Sequence, residues 1–128
     1  MQTYKERLQF PHIIIDIDKI KIRETEQDLE FLVAISCAND DSETNFLYFY
    51  TLRITNDSAT FNLKQVVSAY SLQLNTFKVT KLIPVQESNL LFAIDEDRGA
   101  FVFNLTAVST GVGEQTFGQI DLVPMFQN

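Results

Sequence analysis

The second half of this sequence repeats the apolar pattern of its first half. Three short segments occur twice in the same order: residues 15–20, 31–35 and 48–52 match residues 77–82, 90–94 and 101–105, at offsets of 62, 59 and 53 positions. The second pair reads FLVAI and LLFAI, and the third reads YFYTL and FVFNL. Because the offsets change only where polar connectors fall, the sequence predicts a structural repeat of several short strands.

The composition favours a folded protein made of strands. Apolar residues make up 45% of the 128 residues and charged residues 21%, which is typical of a chain that can bury a core. Eleven Phe and four Tyr stand against four Gly, and β-branched and aromatic residues are enriched in strands. We therefore expect an all-β fold.

Alternating runs between polar connectors place the strands. They predict strands near 13–22, 31–37, 46–54, 59–67, 77–84, 89–95, 99–107 and 116–123. The connector from Asp95 to Gly99 predicts a tight hairpin, since Gly99 supplies a permissive backbone. The expected organisation is an N-terminal extension at 1–12, a first repeat at 13–75, a second repeat at 76–123 and a tail at 124–128.

One segment, residues 62–74, fits two structures. Leu63, Val66, Val67, Tyr70 and Leu74 have the spacing of a helix, whereas positions 70, 72 and 74 also alternate as in a strand. Because the repeat requires a fourth strand near 59–67, we predict a strand followed by an extended linker.

The second repeat resembles a degenerate WD40-type β-propeller blade. The resemblance rests on residues 79–84 (VTKLIP), 89–94 (NLLFAI), 97–99 (DRG) and 102–105 (VFNL). Phe103-Asn104 stands where the family has Trp-Asp, Tyr50-Thr51 does so in the first repeat, and neither repeat has the Gly-His dipeptide. The resemblance spans about 13–123 and implies two antiparallel propeller-like blades of three to four strands each, used as a scaffold for other proteins.

Two blades leave two open sheet edges, and repeat units of this kind need neighbours to bury their faces. We therefore expect a chain that is not an isolated monomer: a part of a larger propeller protein, a subunit completed by a partner chain, or a self-assembling half. The alternative is a small β-sandwich or barrel that closes its own core.

Charge and cysteine content narrow the choice of binding partners and of cellular compartment. A net charge of −7 opposes binding to nucleic acid and to anionic membranes. The one cysteine, Cys37, cannot form an internal disulfide, and residues 1–15 lack the apolar stretch of a signal peptide. These features indicate an intracellular protein, cytoplasmic or nuclear.

The sequence offers little chemistry for catalysis. It has one His, His12, which nothing in the sequence places beside Cys37 or a serine, and the spacing Asp95-x-Asp97-x-Gly99 lacks the later ligands of a calcium loop. We therefore expect no enzyme activity, no cofactor and no metal site.

The expected function is a non-enzymatic protein-interaction module. Exposed β-edges and acidic loops would contact a protein partner with a basic patch, or further blades. The candidate partner-binding residues are Glu24, Glu26, Asp28, Asp40, Asp41, Glu43, Asp95 and Asp97. One alternative is a closed β-barrel or sandwich that binds an apolar ligand among its Phe-rich strands, and another is a piece of an enzyme whose catalytic residues lie elsewhere.

Overall fold

The chain folds into two antiparallel sheets and a separate hairpin. The computed structural model describes residues 13–38, 45–97, 99–105, 108–111, 114–116 and 121–123. The strands are β1 (Ile13–Glu24), β2 (Asp28–Ala38), β3 (Asn45–Thr55), β4 (Ala59–Ser68), β5 (Val79–Val85), β6 (Leu90–Asp95), β7 (Gly99–Asn104), β8 (Val108–Gly111), β9 (Glu114–Thr116) and β10 (Asp121–Val123). A single 3₁₀ turn, Gln86–Ser88, joins β5 to β6, and no α-helix occurs in the described ranges. The prediction of an all-β fold is confirmed.

Each sheet follows the chain as a meander. The first sheet has the order β1-β2-β3-β4, and the second has β5-β6-β7-β10, with the β8–β9 hairpin inserted before its last strand. All pairings are antiparallel. Within the described residues, the outermost strands are β1 and β4 in the first sheet and β5 and β10 in the second.

The ambiguous segment resolves into a strand and a set of turns. Residues 59–67 lie in β4, as predicted. The linker after β4 is not extended, so that prediction is wrong: the N–H of Leu72 bonds to the carbonyl of Ser68, and the N–H of Leu74 bonds to that of Ala69. The hairpin at Asp95–Gly99 is confirmed, with Gly99 at φ +93°.

One hydrophobic core lies between the two sheets. Alternate residues of the strands face it, as the period of two predicts, except in β5, where a bulge between Val79 and Lys81 places Val79 and Leu82 on the core side. The first sheet contributes Ile20, Leu32, Ala34, Leu47, Phe49 and Val67, and the second contributes Val79, Leu82, Leu91, Ala93, Phe101 and Phe103. The ring of Phe49 meets the edge of Phe103, with centroids 5.7 Å apart, so aromatic packing joins the two layers.

The sequence repeat does not keep its register in three dimensions. Ala34 lies opposite Phe49 in the first sheet, whereas the matching Ala93 lies opposite Phe101 in the second. The offset of 53 between the third segments would place Val102 there instead. A slip of one residue exchanges the two faces of a strand. The first two segments keep their faces, since Ala34 and Ala93 both lie in the core. In the third segment the faces are exchanged, because Tyr50 lies on the opposite side of its sheet whereas the matching Phe103 lies in the core.

Candidate interaction surfaces

Three of the predicted acidic residues lie together at the turn between β1 and β2. The carboxylate of Asp28 accepts hydrogen bonds from Nε and Nη2 of Arg53, each at 2.8 Å, and lies 3.5 Å from Nη2 of Arg23. The bonds from Arg53 lower the pKa of Asp28 below its usual range, more than partial burial raises it. Glu24 forms an ion pair with Nζ of Lys21 at 2.6 Å. Asp28 therefore holds the turn, while Glu24 and the neighbouring Glu26 are exposed.

The carboxylate of Asp95 is used inside the fold. The Asp95 side chain is only 2% exposed; its Oδ1 accepts the N–H of Asp97 and its Oδ2 accepts the N–H of Lys78, both at 2.8 Å. Asp97 is exposed and accepts a 3.3 Å bond from the hydroxyl of Thr76. Asp95 thus ties the hairpin turn to the segment that leads into β5, and only Asp97 of this pair is accessible to a partner.

The remaining predicted acidic residues, Asp40, Asp41 and Glu43, lie outside the described residues. The structure therefore places Glu24, Glu26 and Asp28 in one turn and Asp95 and Asp97 in another.

Side-chain oxygens accept hydrogen bonds from the N–H groups that point outward along the edge of β1. The N–H of Ile17 bonds to Oδ1 of Asp16 and the N–H of Lys19 to Oδ1 of Asp18, both at 2.9 Å. The amide of Gln86 bonds both backbone groups of Lys21, accepting its N–H at 2.8 Å and donating to its C=O at 2.7 Å. Three successive donors that an added strand would need are already bonded, so this edge resists strand addition.

Polar side chains also join β1, β2 and β3 to β5. Oδ2 of Asp16 accepts the N–H of Leu82 at 2.8 Å, and the carbonyl of Val79 accepts bonds from Oγ of Ser36 at 2.6 Å and Nδ2 of Asn45 at 2.9 Å. Ser36 and Asn45 are buried. These bonds satisfy the N–H of Leu82 and the C=O of Val79 on the edge of β5 and help to hold the second sheet on the first.

The side of the first sheet that faces away from the shared core is also apolar, and we term it the outer face. The paired positions that form it, in rows from β1 to β4, are Lys21-Phe31-Leu52-Phe61, Lys19-Val33-Tyr50-Leu63 and Ile17-Ile35-Tyr48-Val66. Val33, Ile35 and Cys37 are buried there beneath larger neighbours. Ile17 remains 54% exposed and Leu63 51% exposed. This face is a wide apolar surface that carries several aromatic side chains.

The aromatic rings of the outer face form a contiguous series. The ring centroids of Phe46 and Tyr48 are 6.3 Å apart, those of Tyr48 and Tyr50 are 6.4 Å apart, and those of Tyr50 and Phe61 are 4.5 Å apart. Burial raises the pKa of the Tyr48 and Tyr50 hydroxyls and of the Cys37 thiol. All three groups are therefore neutral at pH 7, and the thiol is unreactive in the folded chain.

Two grooves flank Lys19 on the outer face. One, of about 370 Å³, is lined by Lys19, Lys21, Glu24, Leu29, Phe31 and Gln86. The other, of about 310 Å³, is lined by Ile17, Asp18, Lys19, Val33, Leu52 and Phe61. The Nζ of Lys19 lies 5.7 Å from the centroid of the Phe31 ring, and Lys19 lines both grooves.

The sequence contains a pattern that indicates this apolar face, although the predicted partner-binding residues lie in acidic loops. Residues 31–37 and 46–52 are apolar at both even and odd positions, a pattern typical of strands that are covered on both sides. The predicted partner-binding residues are acidic, whereas the outer face of the first sheet is apolar.

Comparison with known proteins identifies no relative. No family model matches the chain, and neither a curated protein nor a solved structure matches it. Within the described ranges, no group of three or more His, Cys, Asp or Glu residues is arranged to hold a metal ion. The described helical residues, a single short turn, include no apolar stretch of membrane-spanning length.

Proposed function

We propose that this chain is a non-enzymatic protein-interaction module, two blade-like sheets of a larger propeller-type assembly that other sheets complete. The observation that carries the proposal is the way the two sheets face each other. They present opposite faces to the shared core, as successive blades would, and their outward sides are apolar.

The hydrogen-bond directions define which faces meet. In a β-strand, the N–H and C=O of one residue point to the same side of the strand, left or right. For an L-residue this side is fixed once the strand direction and the face that carries the side chain are known. In β1 the N–H groups of Ile17, Lys19 and Lys21, whose side chains are on the outer face, point away from β2. Core-facing residues of β1 therefore bond to β2.

The second sheet has the opposite arrangement. Val79 and Leu82 face the core, yet the C=O of Val79 and the N–H of Leu82 point away from β6, toward Ser36 and Asp16. Viewed from the core with β1 and β5 running upward, β2 and β6 thus lie on opposite sides. Sheets related by a two-fold axis would present the same face to each other, whereas blades related by a rotation present opposite faces.

The direction of the first strands agrees with this relation. Asp16 of β1 contacts Leu82 of β5, and Lys21 contacts Gln86 just beyond β5, so the two strands run side by side in the same direction. The first strands of successive propeller blades run in this way.

Both outward faces favour further sheets. The outer face of the first sheet is apolar, and on the second sheet Ile83, which is 42% exposed, lies beside the partly buried Phe92 on the side directed away from the core. Monomeric proteins rarely leave wide apolar patches exposed, so surfaces of this kind mark interaction sites. The exposed Glu24, Glu26 and Asp97 would meet basic groups of the partner at the rim.

A closed barrel or sandwich with an internal apolar ligand is supported less well. The described strands do not close into a barrel, and the space between the sheets is filled by rings, including Phe49, Phe77 and Phe103.

The mass of the native assembly tests the proposal. We expect the tagged chain, purified from its own cells, to elute in a complex of defined stoichiometry larger than its own 14.7 kDa by light scattering. The chain produced alone should bind a hydrophobic dye, and the complex should not. A stable 14.7 kDa monomer without dye binding in both preparations would contradict the proposal.

A further inference from the structure

The edge strand β4 has free backbone groups along its outward side. At the turn before β4 the N–H of Thr55 bonds to the carbonyl of Ser58, and bonded and non-bonded pairs alternate from there along the antiparallel ladder. Thr60 and Asn62 therefore bond to β3. The backbone groups that point outward belong to Ala59, Phe61 and Leu63. Among the described residues, none bonds to these outward N–H and C=O groups.

The other outermost strands offer less room for an added strand. Along β1, three successive outward N–H groups bond to side-chain oxygens. On β5 the outward N–H of Leu82 bonds to Asp16, and the next outward position, Pro84, has no N–H. The strand β10 is three residues long. Of the outermost strands that the structure describes, β4 is therefore the one open to a partner strand of five residues.

From this we propose that β4 pairs with β4 of a second copy of this chain, antiparallel and centred on Phe61. The five residues from position 59 read ATFNL, which alternate between apolar and polar and are complementary to themselves in this register. Phe61 lies opposite Phe61, Ala59 opposite Leu63, and Thr60 opposite Asn62 of the second copy. Each outward pair exchanges both of its N–H···O=C bonds. The apolar pairs extend the outer face, and the polar pairs lie on the other side, where Thr60 and Asn62 are exposed.

Charges beyond the paired stretch favour the same register. Lys64, at the bulge that ends the regular part of the edge, falls opposite Ser58 of the second copy and next to its Asp57. Lys64 and Asp57 are exposed, and neither has an ion pair within the described part of its own chain. A two-fold axis repeats this contact at the other end of the pairing. A second copy thus supplies the apolar, polar and charged positions together, and this pairing goes beyond the proposed function because it does not depend on a blade-like relation.

Charge variants at the two exposed polar positions test the pairing. We expect the full chain to form a dimer in sedimentation equilibrium at about 0.15 M salt, which screens the repulsion from its net charge of −7. Because Thr60 faces Asn62 of the second copy, T60K/N62K and T60E/N62E should each weaken the dimer about tenfold. Their mixture should restore it as a heterodimer. Glu87→Lys, which adds as much positive charge as T60K/N62K at an exposed position beside β1, should leave the dimer unchanged.

NMR of a mixture of labelled and unlabelled full chain locates the contact. The Cα atoms of a non-hydrogen-bonded antiparallel pair are about 4.5 Å apart, so the Hα atoms of Thr60 and Asn62 should show an intermolecular contact. Three results would overturn the inference: a dimer that both charge variants leave intact, a mixture that does not restore it, or intermolecular contacts on other strands. If the chain alone is monomeric while the native complex persists, the pairing of β4 is wrong and the proposed function stands. Protection of the β4 amides in that complex would then assign the edge to a strand of another protein.

Discussion

At the scale of single residues, two carboxylates that seemed available to a partner have structural roles. Asp95 bonds the N–H groups of Asp97 and Lys78 from a buried position, and Asp28 is held by the guanidinium of Arg53. Burial of a carboxylate is costly unless donors of this kind hydrogen-bond its oxygens. Both acids therefore fix turns at the ends of strands.

Replacement of Asp95 by Ala should destabilise the fold. The N–H of Lys78 would lose its acceptor in a partly buried place, and an unsatisfied buried donor costs about 1–3 kcal/mol. Urea denaturation of Asp95→Ala should show a lower free energy of unfolding by that amount. The control is Asp97→Ala, which removes a neighbouring exposed carboxylate and should change stability by less than about 0.5 kcal/mol. Equal effects of the two variants would exclude the assigned role.

The contact between Asp28 and Arg53 should make the free energy of unfolding depend on pH in the acidic range. Because the pKa of Asp28 is lowered in the folded chain, the unfolded chain binds a proton first as the pH falls. The stabilisation is complete above the usual pKa of about 3.9 and is lost as the pH falls through the lowered value. Urea midpoints should therefore show Arg53→Gln less stable than the parent at pH 7, with the difference shrinking below about pH 4. A difference that stays constant down to pH 2 would contradict this origin.

Single residues were predictable where their structure is local. The pattern of Asp95 and Gly99 predicted a hairpin because a turn needs only neighbouring residues, and Gly99 has the positive φ that such a turn favours. The bond from Lys78 to Asp95 spans 17 positions, and that from Leu82 to Asp16 spans 66. No local pattern encodes bonds of that range, so the burial of Asp95 could not be derived from the sequence.

At the scale of elements, the side chains of β1 and Gln86 act in place of a neighbouring strand. The amide of Gln86 has a donor and an acceptor spaced like those of a peptide group, and it pairs with both backbone groups of Lys21. Asp16 and Asp18 bond the next two outward N–H groups. Strand addition is thus directed away from β1, and β4 is the other edge of that sheet.

Loss of the Gln86 amide should loosen the end of β1. In Gln86→Ala the N–H of Lys21 loses a bond worth about 0.5–1.5 kcal/mol, so hydrogen exchange at Lys21 should accelerate by about 2- to 10-fold. Glu87→Ala alters the adjacent exposed residue and should leave the rate unchanged. Unchanged exchange at Lys21 in Gln86→Ala would show that the amide does not protect this edge.

Strand positions were predictable, whereas connections and register were not. Alternation places β1 to β7 within a few residues, because the period of two depends on burial of one face. The linker after β4 forms turns because Leu72 and Leu74 pack against the shared core, a contact that the local pattern does not contain. The one-residue difference between the Ala34–Phe49 and Ala93–Phe101 pairs arises from strand pairing, which apolar similarity cannot specify.

At the scale of the whole molecule, the two repeats share one core and are not separate domains. The largest buried side chains of each sheet contact the other, with Phe49 from the first and Phe103 from the second. Neither sheet covers its core-facing side without the other. Single sheets of this size bury too little apolar surface to fold alone, so the two should fold as one unit.

Removal of the Phe49 ring should therefore weaken both sheets together. A fully buried Phe replaced by Ala costs about 3–5 kcal/mol, a large share of the 5–15 kcal/mol that holds a domain folded. In Phe49→Ala, slow amides of β2 and of β6 should lose protection to the same extent in hydrogen exchange. Tyr70→Ala, at a side chain that is 93% exposed, should change neither. If β6 kept its protection while β2 lost it, the sheets would be independent folding units. Equal loss of protection would show that the two sheets unfold as one cooperative unit, so that both outward faces belong to the same folded body.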